Sequence, residues 1–544
     1  MAKEHDVVVI GGGHNGLVAA GYLAKAGLDV CVAEFYEKVG GGAMTLDDMP
    51  IPGYKSDIAA IFLGTILQNP LMKNDELKLV SKYGLKSVQT AGPLAATVFP
   101  DGRVLTVYHD INKTCESIAQ FSPKDAEVFP KYCQTMSSLS AAVNLSYFSP
   151  PPSMGAFVSF LDASEEGREY LRMMMSSPLD IVNEWFESQQ LRMQILALAH
   201  GSLSSPLEKG TGHYAAGLAL MQMAGGGTVE GGQRIDIGLL GVHIPEGGIW
   251  QLCRALQDSI EDNGGTVLTS TEVKKVIVEN GVAKGVVLAN GEEIRATKAV
   301  VSNAHVKQLF LEMLESEVLP AGFREKVNRL RHGTARGTIT LFLALNNSPK
   351  YNVGGDIDNA YYFYMYPLLD EYLDIHENYQ KGIPTTRCLH LYIPTLVDPT
   401  RAPEGKHVMR ILNLSPYELE DGSPAGWDKI KDEVGQKMLD NMRIHATNMG
   451  DDNILGRWVA SPIDYERLDP AFYLGDTMHL SMNLSQLFGN RPLPGWHYKT
   501  PVGKLYMCGA STHPGGTLTG GSGRIVAQLV MEDLGIDFRK VISK

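Results

Sequence analysis

The chain has 544 residues, of which 44% are hydrophobic and 20% charged, and a formal net charge of −13. That length exceeds one ordinary hydrophobic core and implies two domains, and the composition is that of a folded globular protein rather than a disordered or fibrous one. The acidic balance excludes a nucleic-acid partner, which would need a basic footprint, and offers no electrostatic attraction to anionic lipid.

From the N-terminus, Asp6-Val7-Val8-Val9-Ile10 reads as a buried strand running into Gly11-Gly12-Gly13-His14-Asn15-Gly16. A helix of small residues continues to Ala26, and a second strand closes at Glu34, eighteen residues beyond Gly16. With 57 glycines in the chain, a bare GxGxxG means little. Strand, glycine loop, helix and acid in this order are what a dinucleotide site requires. Gly11 makes the tight turn, Gly13 admits a pyrophosphate, and Gly16 packs helix on strand. His14 and Asn15 open the helix, whose N–H groups and dipole favour phosphate, and Glu34 accepts ribose hydroxyls.

Residues 76–240 read as helical and methionine-rich, with Met173, Met174, Met175, Met221 and Met223 as core filler. Within them, residues 147–161 join a triple proline to an apolar stretch around Phe157. That segment is either a substrate mouth dipping into a membrane or a buried loop. After the Pro245-Glu246-Gly247-Gly248 turn, a helix over 249–260 leads into strands at 266–268, 272–278, 285–288 and 299–303.

Residues 310–495 carry further strands at 338–345 and 388–393. The run Tyr361-Tyr362-Phe363-Tyr364-Met365-Tyr366, as a strand, places Tyr362, Tyr364 and Tyr366 on one face. These tyrosines either line a site for an extended apolar ligand or pack on the domain core. Arg491 either pairs with a substrate carboxylate or braces a domain junction. Finally, a strand over 505–508 enters a second glycine-rich loop and a helix over 522–534, stopped by Gly535. A compact nicotinamide half-site needs no such distant partner. An FAD needs both units, the first for adenosine and pyrophosphate, the second for the flavin.

Several stretches now carry a resemblance: Glu34 with Gly41-Gly42, Pro245–Gly248, Arg491-Pro492, and Gly509-Ala510-Ser511-Thr512-His513-Pro514-Gly515-Gly516. Together they resemble the phytoene dehydrogenase family of FAD oxidoreductases. Asn183-Glu184-Trp185-Phe186 and Asp398-Pro399-Thr400-Arg401-Ala402-Pro403-Glu404-Gly405 narrow it further. They are similar to the branch holding desaturase-like carotenoid ketolases and pyridine nucleotide-disulphide oxidoreductase domain-containing proteins. The resemblance implies an α/β fold: a Rossmann-type FAD-binding domain from residues 1–75, 241–309 and 496–544, and an α+β substrate domain from 76–240 and 310–495. It implies cofactor contacts at Gly41, Gly42, Val273 (beside the adenine), Gly509, Ala510, Gly516, Thr517 and Leu518. His513 either carries a proton beside the isoalloxazine or braces its loop, and His479 is a second candidate for the same cavity.

The expected activity is FAD-dependent desaturation or oxidation of a hydrophobic isoprenoid-like (carotenoid or terpenoid) or alicyclic molecule. Ketolation and isomerisation would use the same flavin. In a different class, the chain would be a flavoprotein kept for binding. No Cys or His stands where covalent flavin attachment is recognisable, so FAD is expected to be non-covalent. No second fingerprint offers a resident nicotinamide, so oxygen or a quinone is the expected electron acceptor. The six cysteines form no CxxC pair and no metal spacing. With no leader before the first strand and no spanning apolar run, a cytoplasmic location is expected, peripheral on the inner face of a membrane if residues 147–161 form a mouth.

Overall fold

Val7, Val8, Val9 and Ile10 are consecutive apolar residues, the pattern of a strand covered on both faces. In the computed structural model, which describes residues 3–89, 92–201, 205–224, 243–333 and 337–543, they end the strand Lys3–Ile10 at the centre of a seven-stranded sheet. This strand lies parallel between Val30–Ala33 and Glu293–Ser302. The ten-residue strand Glu293–Ser302 takes Val282–Leu288 antiparallel on its first half and Leu505–Met507 parallel on its last three residues. Strands far apart in sequence therefore end at one edge.

Helices His14–Lys25, Trp250–Asp262 and Gly521–Asp533 share one core against this sheet, through Leu17, Val18, Leu256 and Val526. The first and last of them approach closely: a Cβ on Gly523 would overlap the carbonyl oxygen of Asn15. The opposite face is covered by Val306, Leu309, Phe310 and Phe323.

The second sheet also has seven strands, in the order Ile454–Ala460, Thr338–Leu345, His407–Leu414, Leu389–Tyr392, Tyr362–Met365, Ala95–Val98 and Val104–Val107. Its pairs are antiparallel except for Tyr362–Met365 with Ala95–Val98. The last two strands fall in the stretch read as helical, which is a correction. Their signal was present in the short apolar runs either side of Pro100-Asp101-Gly102, with Gly102 at φ +80° as a hairpin requires. A further short strand, Ser87–Gln89, pairs with His243–Pro245, and the remaining described regular elements of that stretch are helices. Met173 and Met174 lie in its core, Met175 is exposed, and the side chains of Met221 and Met223 fall outside the described residues.

The helix Trp427–Arg443 covers one face of the second sheet, packing on Phe363, Leu391 and Ile411. The other face carries Tyr362, Tyr364 and Tyr392 and looks toward the first sheet's loops. Arg401 ties the two parts together. It is fully buried and pairs through Nη1 with Asp57 (2.6 Å) and through Nε with Asp398 (2.9 Å). Asp398 also accepts from the backbone N–H of Gly247, and Asp57 from that of Ile249. Among the described residues no helix is long and apolar enough to cross a membrane.

Candidate active site

Loop geometry at the sheet edge builds a cradle. The helix His14–Lys25 begins at Gly13 without a side-chain cap, so its dipole and first N–H groups remain available to an anion. A Cβ on Gly13 would sit 2.8 Å from Asn303 Nδ2, and one on Gly41 would sit 3.1 Å from the Cα of Gly13. Only glycine leaves that space open. Gly11, Gly13, His14, Asn15, Gly41 and Gly42 all line one cavity of about 660 Å³, a volume within the range of ligand sites. Gly16 lies behind it, where a side chain would overlap the carbonyl oxygen of Gly11. A dinucleotide phosphate fits this donor set.

Glu34 faces the same cavity with its carboxylate already oriented. Oε2 accepts from the N–H of Gly12 (2.6 Å) and Oε1 from that of Tyr36 (2.8 Å), which leaves each oxygen a further lone pair. Burial, and then the charge of Asp469, raises its pKa to about 7. Asp469 lines the cavity too and was not singled out from the sequence. Asn303 was also missed as a site residue. It follows the strand Glu293–Ser302 and packs against glycines of both ends, including Gly509. Val273 lines the same cavity.

The late loop supplies the other end. Ala510, Thr517 and Leu518 line the cavity, whereas Gly509 and Gly516 pack behind it against Asn303 and Met478. Thr517 holds φ +80° and His479 φ +66°. Such backbone is strained for a side-chain-bearing residue, and strain of this kind gathers at functional sites. His479 lines the cavity, with Nδ1 3.0 Å from Ser511 Oγ and its carbonyl accepting from His305 Nε2 at 2.8 Å. Burial holds its pKa well below the usual imidazole value, so it is neutral at pH 7.

The second sheet forms the far wall. Tyr362 and Tyr392 line it, stacked at 4.5 Å with 13° between planes, alongside Arg410 and Leu412. Behind them runs a buried polar chain. Tyr362 Oη meets His390 Nδ1 at 3.1 Å, His390 Nε2 meets Tyr366 Oη at 2.8 Å, and Tyr366 Oη meets His200 Nδ1 at 2.9 Å. Tyr364 and Tyr366 share the face of Tyr362 but sit inside the core rather than at the cavity. The alternation was legible; which tyrosine meets the ligand depends on strand register.

Three more candidates lie away from the cavity. Arg491 is completely buried, and its Nε and both Nη atoms donate to the carbonyls of Ala510, Ser481, Gln486 and Met478. It braces the junction and has no donor left for a substrate. Phe157 is 6% exposed and stacks on Phe488 at 4.5 Å, so it forms no mouth. Its exposed neighbour is Phe160. His513 donates through Nε2 to the carbonyl of Ser146 at 3.0 Å, with Tyr147 and Phe488 against its ring, and burial lowers its pKa to about 4. His513→Ala is expected to destabilise the fold by about 1 kcal/mol. It should leave the rate of flavin reduction within about twofold in anaerobic stopped-flow. A tenfold slower reduction at full occupancy would instead put this ring at the redox centre.

An uncapped glycine cradle at the end of the parallel strands of the first sheet, opposite a largely aromatic wall, together with the family match below, defines a flavin-dependent oxidoreductase. The chain belongs to the flavin containing amine oxidoreductase family, which it matches over residues 16–412. It is 31% identical to the pyridine nucleotide-disulfide oxidoreductase domain-containing protein 2 of Rattus norvegicus, over 98% of this chain and 94% of that one. To a limonene dehydrogenase polypeptide of Castellaniella defragrans it is 26% identical, over 98% and 96%. Among solved structures, cyclohexylamine oxidase from Brevibacterium oxydans superposes with a TM-score of 0.59 at 17% identity, over 98% and 99%, a likeness of fold alone.

Proposed function

We propose that this chain binds one FAD non-covalently and oxidises a hydrophobic isoprenoid-like or alicyclic molecule, passing the electrons on to oxygen or a quinone. The supporting observation is one continuous cavity that runs from the glycine cradle to the stacked pair Tyr362–Tyr392. A cofactor and an apolar substrate would meet in it. When bound, FAD supplies a hydride acceptor at N5. The chain's own residues bind, orient and exclude water: Gly13 and the start of His14–Lys25 at the pyrophosphate, Glu34 at the ribose, and the 510–518 loop at the flavin. In this reading residues 1–75, 241–309 and 496–544 form the flavin unit, and 76–240 with 310–495 the substrate unit. The name of the limonene dehydrogenase relative supports the terpenoid end of the substrate class. Anaerobic addition of terpenoids to the flavin-loaded protein should bleach its oxidised absorption band, and a band unmoved by every candidate lipid would defeat the enzymatic reading.

Glu34→Ala is expected to remove charge-assisted hydrogen bonds worth about 1.5–3 kcal/mol. FAD affinity should fall roughly ten- to hundredfold, read by flavin occupancy at limiting FAD. A pH signature accompanies it. The pKa of Glu34 in the folded, flavin-free chain lies above its ordinary value, so its stabilising contribution is complete below pH 4.5 and lost as pH rises toward 7. Denaturation of flavin-free protein across that window should show the loss, and Glu34→Gln should flatten it. Identical slopes in both proteins would refute the assignment.

A further inference from the structure

The register of the second sheet sets five side chains in one row. Tyr362 pairs with Tyr392, Tyr392 with Arg410, Arg410 with Phe342, and Phe342 with Trp458. The outer members stack as pairs, Tyr362 on Tyr392 and Phe342 on Trp458 at 5.2 Å. Arg410 sits between the pairs, its guanidinium carbon 5.6 Å from the Tyr392 ring centre and 5.8 Å from that of Phe342. It lines the cavity and is only 6% exposed.

This guanidinium is poorly satisfied. Nη1 donates to the carbonyls of Ala59 (3.1 Å) and Asp57 (3.3 Å), while Nε has no partner. Among the described residues no hydrogen bond reaches Nη2 and no carboxylate pairs with the side chain. The nearby carboxylates are committed elsewhere. Asp57 holds Arg401, Thr45 and the N–H of Ile249, and Asp398 holds Arg401, Thr400 and the N–H of Gly247. One negative charge is thus in surplus over Arg401. It offsets the field at Arg410 without filling its hydrogen bonds. A buried cation lacking partners is costly. Of the two completely buried arginines, Arg491 has every nitrogen on a carbonyl, and Arg401, whose Nη2 has no partner, is held by the carboxylates of Asp57 and Asp398; Arg410 has neither a full set of carbonyls nor a carboxylate.

We propose that Arg410 is the anchor for a carboxylate on an otherwise apolar substrate, whose ring or chain lies along Tyr362, Tyr392 and Leu412. The guanidinium fork matches a carboxylate in two parallel hydrogen bonds, and the aromatic neighbours fix the plane of that fork. The same charge disfavours an amine head at this end of the cavity, despite the family's name, and a bare hydrocarbon would bury it further. This assignment rests on the reading of the cavity as the substrate site and narrows the substrate to an apolar acid.

Titration calorimetry with perillic acid, perillyl alcohol and perillyl amine, which share one ring skeleton, tests it on the flavin-loaded protein and on flavin-free protein. The acid should bind roughly tenfold or more tighter than the alcohol, and the amine weakest. Arg410→Met should bring acid and alcohol within about twofold, while Arg410→Lys, a point charge without the fork, should keep part of the preference. Should the methionine variant not fold, a lysine variant with an undiminished preference overturns the anchor. Equal binding of acid and alcohol by the parent, or a preference that survives Arg410→Met, overturns it as well. A flavin bleached by the alcohol as readily as by the acid, with equal affinities, would sink the anchor alone. Absence of flavin binding would sink the enzymatic reading, with acid binding still measured on the flavin-free chain.

Discussion

Replacing Arg401 with leucine is expected to destabilise the fold by about 3–5 kcal/mol, the loss that follows when one member of a buried ion cluster is removed. The side chain is fully buried between Asp57 and Asp398, so its removal leaves two carboxylates facing each other without a cation. Neither can turn to water. The effect is architectural as well, because those carboxylates also receive the N–H groups of Ile249 and Gly247, at the turn that leads into the helix Trp250–Asp262. The urea midpoint should fall sharply, and flavin occupancy should fall with it. Asp398→Asn combined with Arg401→Leu should destabilise by less than the sum of the two single changes, since each removes part of the same interaction. Additive losses would show that the three groups act independently.

Gly16→Val should abolish flavin retention. A Cβ at this position would overlap the carbonyl oxygen of Gly11 and lie 3.1 Å from Asn303 Cβ. Neither partner can retreat: Gly11 makes the turn at φ +88°, and Asn303 is held between the glycines of both loops. The helix His14–Lys25 must therefore shift away from the sheet, taking its open N-terminus away from the phosphates. Affinity for FAD is expected to drop by more than roughly a hundredfold, a loss of about 2.7 kcal/mol or more. Gly27→Ala, at a surface turn with nothing within 4 Å of the added Cβ, is the control. It tests the strain of a positive φ alone, and it should keep its flavin.

The cofactor cradle was legible because its signal is local. Turn, helix start and acid fall within residues 11–34, and a glycine there can be read for its steric role without knowing its neighbours. Of the wall only the tyrosine alternation that includes Tyr362 was legible, because Tyr362, Tyr392, Arg410, Phe342 and Trp458 become neighbours only through the register of five strands. The case of the arginines is instructive. A substrate carboxylate was one reading of Arg491, yet the acceptors that occupy it come from residues 478–486 and 510, which no local pattern reveals. Phe157 stayed between a mouth and a buried segment for the same reason. An apolar residue beside a triple proline suggests an exposed mouth until Phe488 arrives from the far end of the chain to stack on it.

The central strand Lys3–Ile10 is made long before its neighbour Glu293–Ser302 and that strand's partner Leu505–Met507. At about 5–20 residues per second, roughly 25–100 s separate the first strand from the last. Throughout that interval the apolar side of His14–Lys25 lacks the helix Gly521–Asp533 that covers it, and the second glycine loop does not yet exist. Flavin capture consequently has to wait until residues 505–533 have been made and have left the ribosome. Chains stopped short of residue 505 should accumulate as flavin-free, chaperone-bound or aggregated material.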